Sequence, residues 1–301
     1  MSLIGYNLCL NKNRELMKNM SQDTAEAGPI GLIAGGGLLP LEFARHAPQL
    51  GIGEIIAVGF KDYTAPELVP LVAQYQDIAI GQLGRLIKFF KTHQVSRALM
   101  LGSLSPRLTI ANVRLDMRMI MLAAKVKDRR ADSVLGAIAN EMARDGIILQ
   151  PTTEYLPHLL VRRGVLTKKQ PGKKDWDDIR MGIRLARASG GLDIGQTVVT
   201  KKQAVVAVEA MEGTDACIQR AGTLAKKVII VKMAKPRQDL RFDVPCIGPD
   251  TLRTMSAAGA SILAVEADKT FIIDRQAAIE LADTNGICII GVTPEEGEQE
   301  I

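Results

Sequence analysis

Between Asp193 and Gly248 the chain gathers residues able to act on a phosphate ester. The acids Asp193, Glu212, Asp215, Asp239 and Asp243 stand in or beside turn-forming stretches, close to Lys232 and Lys235. A carboxylate can orient a water for in-line attack or hold a metal ion. A lysine ammonium can neutralise charge that develops on phosphoryl oxygens. Any one of these acids taken alone reads as a turn or cap residue; their clustering with lysines favours chemistry. Asp243 follows Arg241 and precedes Val244-Pro245, which puts it at the start of a strand or in the loop before one.

The histidines narrow the chemistry. His46, His93 and His158 are isolated, so a histidine-rich dinuclear phosphoesterase centre lacks its ligands. Cys9, Cys217, Cys246 and Cys288 are far apart in sequence and suggest neither a zinc site nor a redox pair. They read as reduced thiols of a cytosolic protein. Any metal here is expected to be a hard ion held by oxygen, such as Mg²⁺ or Mn²⁺.

A second candidate site lies near the start. Pro29 to Ala34 is a short apolar run, and Gly35-Gly-Gly37 follows it. Glycines at a strand-to-helix turn let backbone N–H groups approach a phosphate. Pro40 stands where the third glycine of a dinucleotide fingerprint belongs, and no Walker-type lysine motif occurs. The turn is therefore either a phosphate or nucleotide cradle or a purely structural tight turn.

The elements that must position these groups read as βαβ units, which imply a parallel sheet. In the first half a helix is expected over Leu38 to Leu50, with Leu38, Leu41, Phe43 and Ala44 on one face. Strands are expected at Ile55 to Gly59, Arg97 to Gly102 and Ile147 to Leu149, and helices at Leu83 to His93 and Asp132 to Arg144. The stretch Val161 to Lys174 is rich in Lys, Arg and Pro, and Lys168 to Lys174 reads as a solvated loop. In the second half helices are expected at Asp175 to Ala188, stopped by Gly190-Gly191, at Thr251 to Ala258, and at Arg275 to Asp283 capped by Asp274. Strands are expected at Gln196 to Thr200, Ala204 to Glu209, Val228 to Val231, Ser261 to Val265, Phe271 to Ile273 and Ile287 to Val292.

One further helix is expected from Asn112 to Arg130. Arg114, Arg118, Lys125 and Arg129 would share roughly a sixth of its circumference, beside an apolar stripe of Leu115, Met119, Leu122 and Val126. It reads either as a surface helix docked on its apolar side or as a basic amphipathic surface for an anionic lipid or a partner chain.

Composition sets outer bounds. A chain of 301 residues suggests two domains. The net charge of +5 favours anionic partners. Aromatic residues at 4% argue against a binder of single-stranded nucleic acid, which needs stacking platforms. No stretch is long and apolar enough to span a bilayer. Met1 to Gly28 does not read as a secretory signal; it is expected to be a disordered extension, with Met17 or Met20 as alternative starts.

Taken in order, Gly31 to Pro40, Gly81-Gln-Leu-Gly84, Leu192 to Gln196, Val208 to Asp215, Lys232 to Gly248 and Ile273-Asp-Arg275 resemble the motifs of the LpxI-type UDP-2,3-diacylglucosamine pyrophosphatases. The resemblance runs from Ile30 to Val292. Glu212-Gly-Thr-Asp215 and the Lys-Pro-x-Gln-x-x-Arg-x-Asp pattern ending at Asp243 are its specific parts. It implies an α/β protein with an N-terminal Rossmann-like parallel-sheet domain over 29–158, a linker over 159–174, and a C-terminal catalytic α/β domain with a mixed sheet over 175–296. Substrate would lie between the two domains.

The implied reaction is hydrolysis of UDP-2,3-diacylglucosamine to 2,3-diacylglucosamine 1-phosphate (lipid X) and UMP, in lipid A synthesis. It would use Mg²⁺ or Mn²⁺, with water attacking the α-phosphorus. The resemblance makes Asp243 the residue needed for activity. With it, Lys235 and Asp215 are expected to be catalytic, and Asp243 and Glu212 to hold the metal. Gly35, Gly36, Gly37, Gln82, Gly84, Gln196, Thr214, Lys232, Gln238 and Arg241 are expected to bind substrate. The setting implied is the cytoplasmic face of the inner membrane, with transient surface contact, a homodimer as a further partner, and no nucleic acid.

The chain departs from the family pattern at three places. Gly102-Ser103-Leu-Ser-Pro-Arg107 replaces a Gly-Asn-x-x-Arg-Pro pattern, Arg130-Ala-Asp132 replaces Gly-Asp-Asp, and Met233-Ala234 replaces Ala-Pro. The first two bear on acyl or sugar preference. They also motivate an alternative, a non-catalytic nucleotide-sugar or lipid carrier on the same scaffold. A nicotinamide oxidoreductase fits less well, because the fingerprint is incomplete and its distal acid is not evident.

Overall fold

A computed structural model describes residues 28–103, 113–126 and 131–298. The expected N-terminal extension, most of the Ser103 to Arg107 departure, and Arg129 and Arg130 lie outside the described residues. The chain divides into two compact units, one reaching Leu156 and one starting at Pro157.

In the first unit the elements run β1 (Ile30–Ala34), α1 (Leu39–His46), β2 (Ile55–Phe60), β3 (Gln74–Ile78), α2 (Leu83–Thr92), β4 (Arg97–Leu101), α3 (Met117–Lys125), α4 (Ala131–Arg144), β5 (Ile148–Leu149) and α5 (Thr152–Tyr155). The five strands form an all-parallel sheet in the order β3-β2-β1-β4-β5. Every residue of β1 and nearly every one of β2 is buried, as a parallel sheet covered on both faces requires. Helix α2 buries Leu83, Leu86, Ile87 and Phe90, an i, i+3, i+4, i+7 stripe.

Some local expectations are corrected here. The first helix stops at His46 and continues as a 3₁₀ turn to Leu50, closed by left-handed Gly51. Strand β3 was not expected, because Gln74-Tyr-Gln-Asp has no apolar run; it is an edge strand. Helix α3 is shorter than the predicted Asn112 to Arg130. Its Arg118 is not on a free basic face, since it pairs with Glu141 and Asp145 on α4 and just beyond it.

The second unit contains β6 (Gly164–Val165), α6 (Lys173–Gly191), β7 (Thr197–Lys201), β8 (Ala204–Val208), α7 (Thr214–Leu224), β9 (Ile229–Lys232), β10 (Cys246–Ile247), α8 (Pro249–Ala258), β11 (Ile262–Glu266), β12 (Phe271–Ile272), α9 (Arg275–Thr284) and β13 (Cys288–Val292). A mixed six-stranded sheet has the order β6-β13-β11-β9-β7-β8, and β10 pairs with β12 separately. Strands β9, β11 and β13 are parallel, whereas β6, β7 and β8 join antiparallel.

Alternation along the strands divides the core into two layers. Ile229, Val231, Ile262, Ala264, Cys288 and Ile290 pack with Ile179, Ile183 and Ala186 of α6. Ile230, Leu263, Val265 and Ile289 pack with Cys217, Ile218, Leu252, Met255, Ala278 and Ala282 of α7, α8 and α9. A period of two on the strands therefore builds a sheet with helices on both faces.

Three further expectations change. The stretch read as a linker supplies β6 to the sheet edge, and Lys169 Nζ donates to the carbonyls of Ser261 at 3.2 Å and Gly286 at 2.7 Å. Helix α6 runs through Gly190 and Gly191 instead of stopping before them. Asp274 precedes α9 but makes no side-chain cap; its backbone is left-handed, with φ of 47°.

Candidate functional site

The carboxyl edge of β9 and β11 collects the groups singled out above. Lys232 ends β9, and antiparallel pairing sets Thr197 of β7 opposite it. Chain leaving β8 returns to the same edge, where Glu209 N donates to Thr197 O at 2.9 Å. Ligands of α/β sheets bind outside the carboxyl ends of the parallel strands, because the connecting loops and helix N-termini converge there.

Lys232 is only 7% exposed. A buried ammonium needs compensating partners, since removing a charge from water is unfavourable by several kcal/mol. Here Nζ donates to Thr214 Oγ1 and to the Cys246 carbonyl, each at 3.2 Å. Thr214 donates onward to Glu209 Oε1 at 2.9 Å, and its hydroxyl lies 3.4 Å from that of Thr197. Glu209 is 8% exposed, and its Oε2 is buried with no hydrogen-bond partner, as is Gln196 Oε1. The Lys232 ammonium has three N–H donors, so its two acceptors here leave one for a ligand.

Thr214 and Asp215 open α7, behind Gly213 with φ of 83°. Asp215 was expected at a strand end or in a loop; it stands in the first turn of a helix. Asp215 is surface-exposed, and partial desolvation raises its pKa, opposed by the charge of Lys232 and reinforced by Asp250 and Glu209. Asp250 stands in the first turn of α8. Burial also pushes the Cys246 thiol up to about 11, against the pull of Lys232 and with the push of Asp243. These effects show that Lys232, Asp215, Glu209, Asp243 and Asp250 share one electrostatic neighbourhood.

The loop after β9 is braced from within. Gln238 Oε1 accepts from Lys235 N at 2.8 Å, while its Nε2 donates to Asp243 Oδ2 at 2.6 Å. Asp243 N donates to Asp239 O at 3.0 Å. Lys235 Nζ pairs with Asp193 Oδ1 at 2.6 Å. Arg241, expected to bind substrate, grips Asp239 through Nε and Nη2, and this holds the Asp239 carboxyl below its ordinary value. Glu266, almost fully buried at the end of β11, accepts from Ala234 N at 3.0 Å and pairs with Lys269 at 2.8 Å.

Glu209 and Glu266 were missed by the sequence reading. Each is an acid that terminates an apolar strand, Ala204 to Val208 and Ile262 to Val265 respectively. That pattern was the available signal, because a charge at the end of a buried run must find a partner.

Two groups expected at the site have protein partners in this geometry. The Glu212 carboxylate is taken by Arg220 Nη2 at 2.6 Å and Ala210 N at 3.1 Å, and Arg220 lowers its pKa. Among the described residues, no group of three or more Asp, Glu, His or Cys is arranged to hold a metal ion. In the first unit, Gly35 N donates to Leu101 O and Gly36 N to Ser103 O, each at 2.8 Å. Those amides are engaged in an antiparallel bridge between Gly36 and Ser103, not presented to a phosphate. Glycine is required there by close approach: a Cβ on Gly102 would stand 2.5 Å from Gly36 O. Gly37 is left-handed, with φ of 89°.

Gln82 and Gly84 sit elsewhere in that unit. Gly84 N donates to Asp116 Oδ2 at 2.6 Å, so a side chain already occupies the α2 N-terminus. Gln82 Oε1 accepts from Ala79 N at 3.0 Å. Gln82 lines a cavity of about 320 Å³ with Lys61, Asp62, Asp77, Arg85 and Arg114.

Comparison with known proteins gives two kinds of match. The family model described as LpxI N-terminal domain matches residues 29–159, and that described as LpxI C-terminal domain matches residues 162–290. The chain is also 30% identical over 282 residues to the UDP-2,3-diacylglucosamine pyrophosphatase LpxI of Caulobacter vibrioides, covering 89% of this chain and 98% of that relative.

Proposed function

The chain belongs to the LpxI family, and we propose on that premise that it hydrolyses UDP-2,3-diacylglucosamine to 2,3-diacylglucosamine 1-phosphate and UMP. The observation that carries this reading is the match of both family domains together with the relative's coverage. The buried Lys232 and the braced Asp243 are consistent with it, since they bring an ammonium and a carboxylate to one sheet edge.

In the proposed reaction a water oxygen bonds to the α-phosphorus of the UDP moiety. The bond from that phosphorus to the bridging oxygen breaks, and the bridging oxygen leaves with the sugar 1-phosphate. Lys232 uses its remaining N–H on a diphosphate oxygen, held in place by Thr214 and the Cys246 carbonyl. Asp243, oriented by Gln238, orients the water. Asp215 balances the ammonium charge from the first turn of α7. Lys235 exchanges its Asp193 partner for the diphosphate when substrate enters.

Mg²⁺ or Mn²⁺ dependence is part of the same proposal. The site offers hard oxygen donors, including the unpartnered Oε2 of Glu209, but no cluster of three ligands among the described residues. That donor set fits an ion carried in by the substrate phosphates and held by one or two carboxylates, which is how Mg²⁺ commonly binds. Asp243 would hold it, and the ion would neutralise charge on the phosphoryl oxygens.

A diacylated substrate also implies work at a membrane surface, here proposed to be the cytoplasmic face of the inner membrane. No helix among the described residues is long and apolar enough to cross a membrane.

Turnover in ¹⁸O-water with Mg²⁺ or Mn²⁺, and in excess EDTA, tests the reading. It expects metal-dependent release of UMP carrying the label. Label found only in the sugar phosphate would overturn the α-phosphorus assignment. Stoichiometric binding without UMP release would favour the carrier alternative.

A further inference from the structure

Helix α3 is built inside out. Met117, Ile120, Met121 and Ala124 recur at i, i+3, i+4 and i+7 and are all exposed: Met117 at 70%, Met121 at 53% and Ile120 at 47%. Leu115, just before the helix, extends the stripe at 49% exposure. The polar anchor faces inward instead. Arg118 donates to Glu141 Oε1 at 2.9 Å and pairs with Asp145, while Leu122 is the buried apolar contact of the helix. An amphipathic helix of a water-soluble surface turns its apolar stripe toward the core. A contiguous outward apolar patch rimmed by charge marks a docking surface.

We propose that this face of α3 docks on the surface of an anionic phospholipid bilayer. Charge selects that occupant. Exposed Arg114 and Lys125 stand at the two ends of the stripe, and the chain as a whole carries +5. A helix with this arrangement lies in the interfacial plane, its apolar side among the upper acyl chains and its basic residues at the headgroups. Each such basic residue raises partitioning onto an anionic surface about fivefold. Two ends of positive charge would not favour self-association through a two-fold contact of this patch, because equivalent cations would be brought together. The inference deepens the proposed function, since a diacylated substrate resides in such a surface, and it rests on that reading only for its purpose.

Sedimentation of the full chain with vesicles tests it without turnover. Wild type and an Ile120→Asp/Met121→Asp variant are mixed with vesicles of phosphatidylcholine alone or containing phosphatidylglycerol. Wild type is expected to sediment with the anionic vesicles and less with the neutral ones. The variant is expected to lose at least roughly tenfold of that binding, since two apolar groups are replaced by charges. Its melting temperature should be unchanged, because both side chains are exposed. UMP release from detergent-dispersed substrate is measured on the same samples, with equal rates expected. Absence of UMP from both proteins would count against the hydrolase reading and leave the vesicle result to decide the docking face. Failure of wild type to bind anionic vesicles, or equal binding by the variant, overturns the proposal. So does a wild-type dimer that the variant breaks while vesicle binding is unaffected.

Discussion

The Lys232 ammonium donates to Thr214 Oγ1 at 3.2 Å, so a residue in the first turn of α7 fixes the charged end of a strand residue. Thr214 in turn donates to Glu209 Oε1 at 2.9 Å. The relay runs in one direction, from ammonium to hydroxyl to carboxylate, and it lies largely out of water.

Replacing Thr214 by Val should break this relay with little change in volume. Hydrogen bonds to charged groups contribute about 1.5–3 kcal/mol. We therefore predict that UMP release falls roughly tenfold to a hundredfold, mainly in kcat, and that Thr214→Ser restores most of it. Steady-state kinetics of the two variants checks this; a Val variant at the wild-type rate would show that the relay is not needed.

Asp243→Ala is predicted to abolish turnover while substrate still binds, because the substitution removes the carboxylate and leaves the Lys232 site intact. Gln238→Ala should lower the rate less, since it removes only the 2.6 Å brace on Asp243 Oδ2. Single-turnover UMP release together with calorimetric titration of substrate separates the two effects. Near-normal turnover by Asp243→Ala would remove Asp243 from the mechanism.

The pH dependence of stability should carry a signature of Asp215. Partial desolvation of this surface-exposed carboxyl raises its folded-state pKa above 3.8. A raised carboxyl binds its proton more tightly in the folded state, so stability falls as pH rises from the unfolded value through the folded one. Asp215→Asn is therefore predicted to be at least as stable as wild type at neutral pH, with the difference vanishing below about pH 4. Melting temperatures across that range check the sign. A variant less stable at pH 7 and equal in acid would contradict the assignment.

Asp116 caps two helices at once. Its Oδ1 accepts from Met119 N at 2.9 Å at the start of α3, and its Oδ2 accepts from Gly84 N at 2.6 Å at the start of α2. Removing one cap destabilises by about 1 kcal/mol. Asp116→Ala is predicted to lose roughly 2 kcal/mol, and Asp116→Asn to retain part of it. Urea unfolding measures the difference; a loss confined to a few tenths would mean that water replaces the carboxylate without penalty.

Gly102→Ala should be among the more damaging single-methyl changes in the first unit. Its φ is 89°, and the added Cβ would press on Gly36 O at 2.5 Å. Such strain is of order 1–3 kcal/mol, and it should appear as a lower urea midpoint. An unchanged midpoint would show that the bridge between Gly36 and Ser103 relaxes freely.

Much of this arrangement was legible in the order of residues. Apolar runs separated by helical stretches give βαβ units whatever their surroundings, so β1, β2, β4, β9, β11 and β13 were found close to their observed places. Strand β3 escaped because an edge strand has little apolar side chain to show. Helix α7 escaped because Glu212-Gly-Thr-Asp215 was read for its chemistry, and Thr, Gln, Arg and Gly222 dilute its apolar spacing. At the site, the sequence brought forward Lys232, Lys235, Gln238 and Asp243, which share one stretch of chain.

What sequence alone determined, then, was the type of chemistry available and the strand ends that offer it. Which groups meet was decided by tertiary structure, because partners at the sheet edge are joined by pairing between distant strands. Glu209 is linked to Lys232 through Thr214 only because β8 folds back on β7 and α7 starts at the same edge. Glu212, close by in sequence, is captured by Arg220. Helix α3 turns on the same point: its Arg118 found acids on its inner side, and that contact left Met117, Ile120 and Met121 facing out. Side-chain type can be read residue by residue, whereas burial and pairing arise from contacts between segments far apart in the chain.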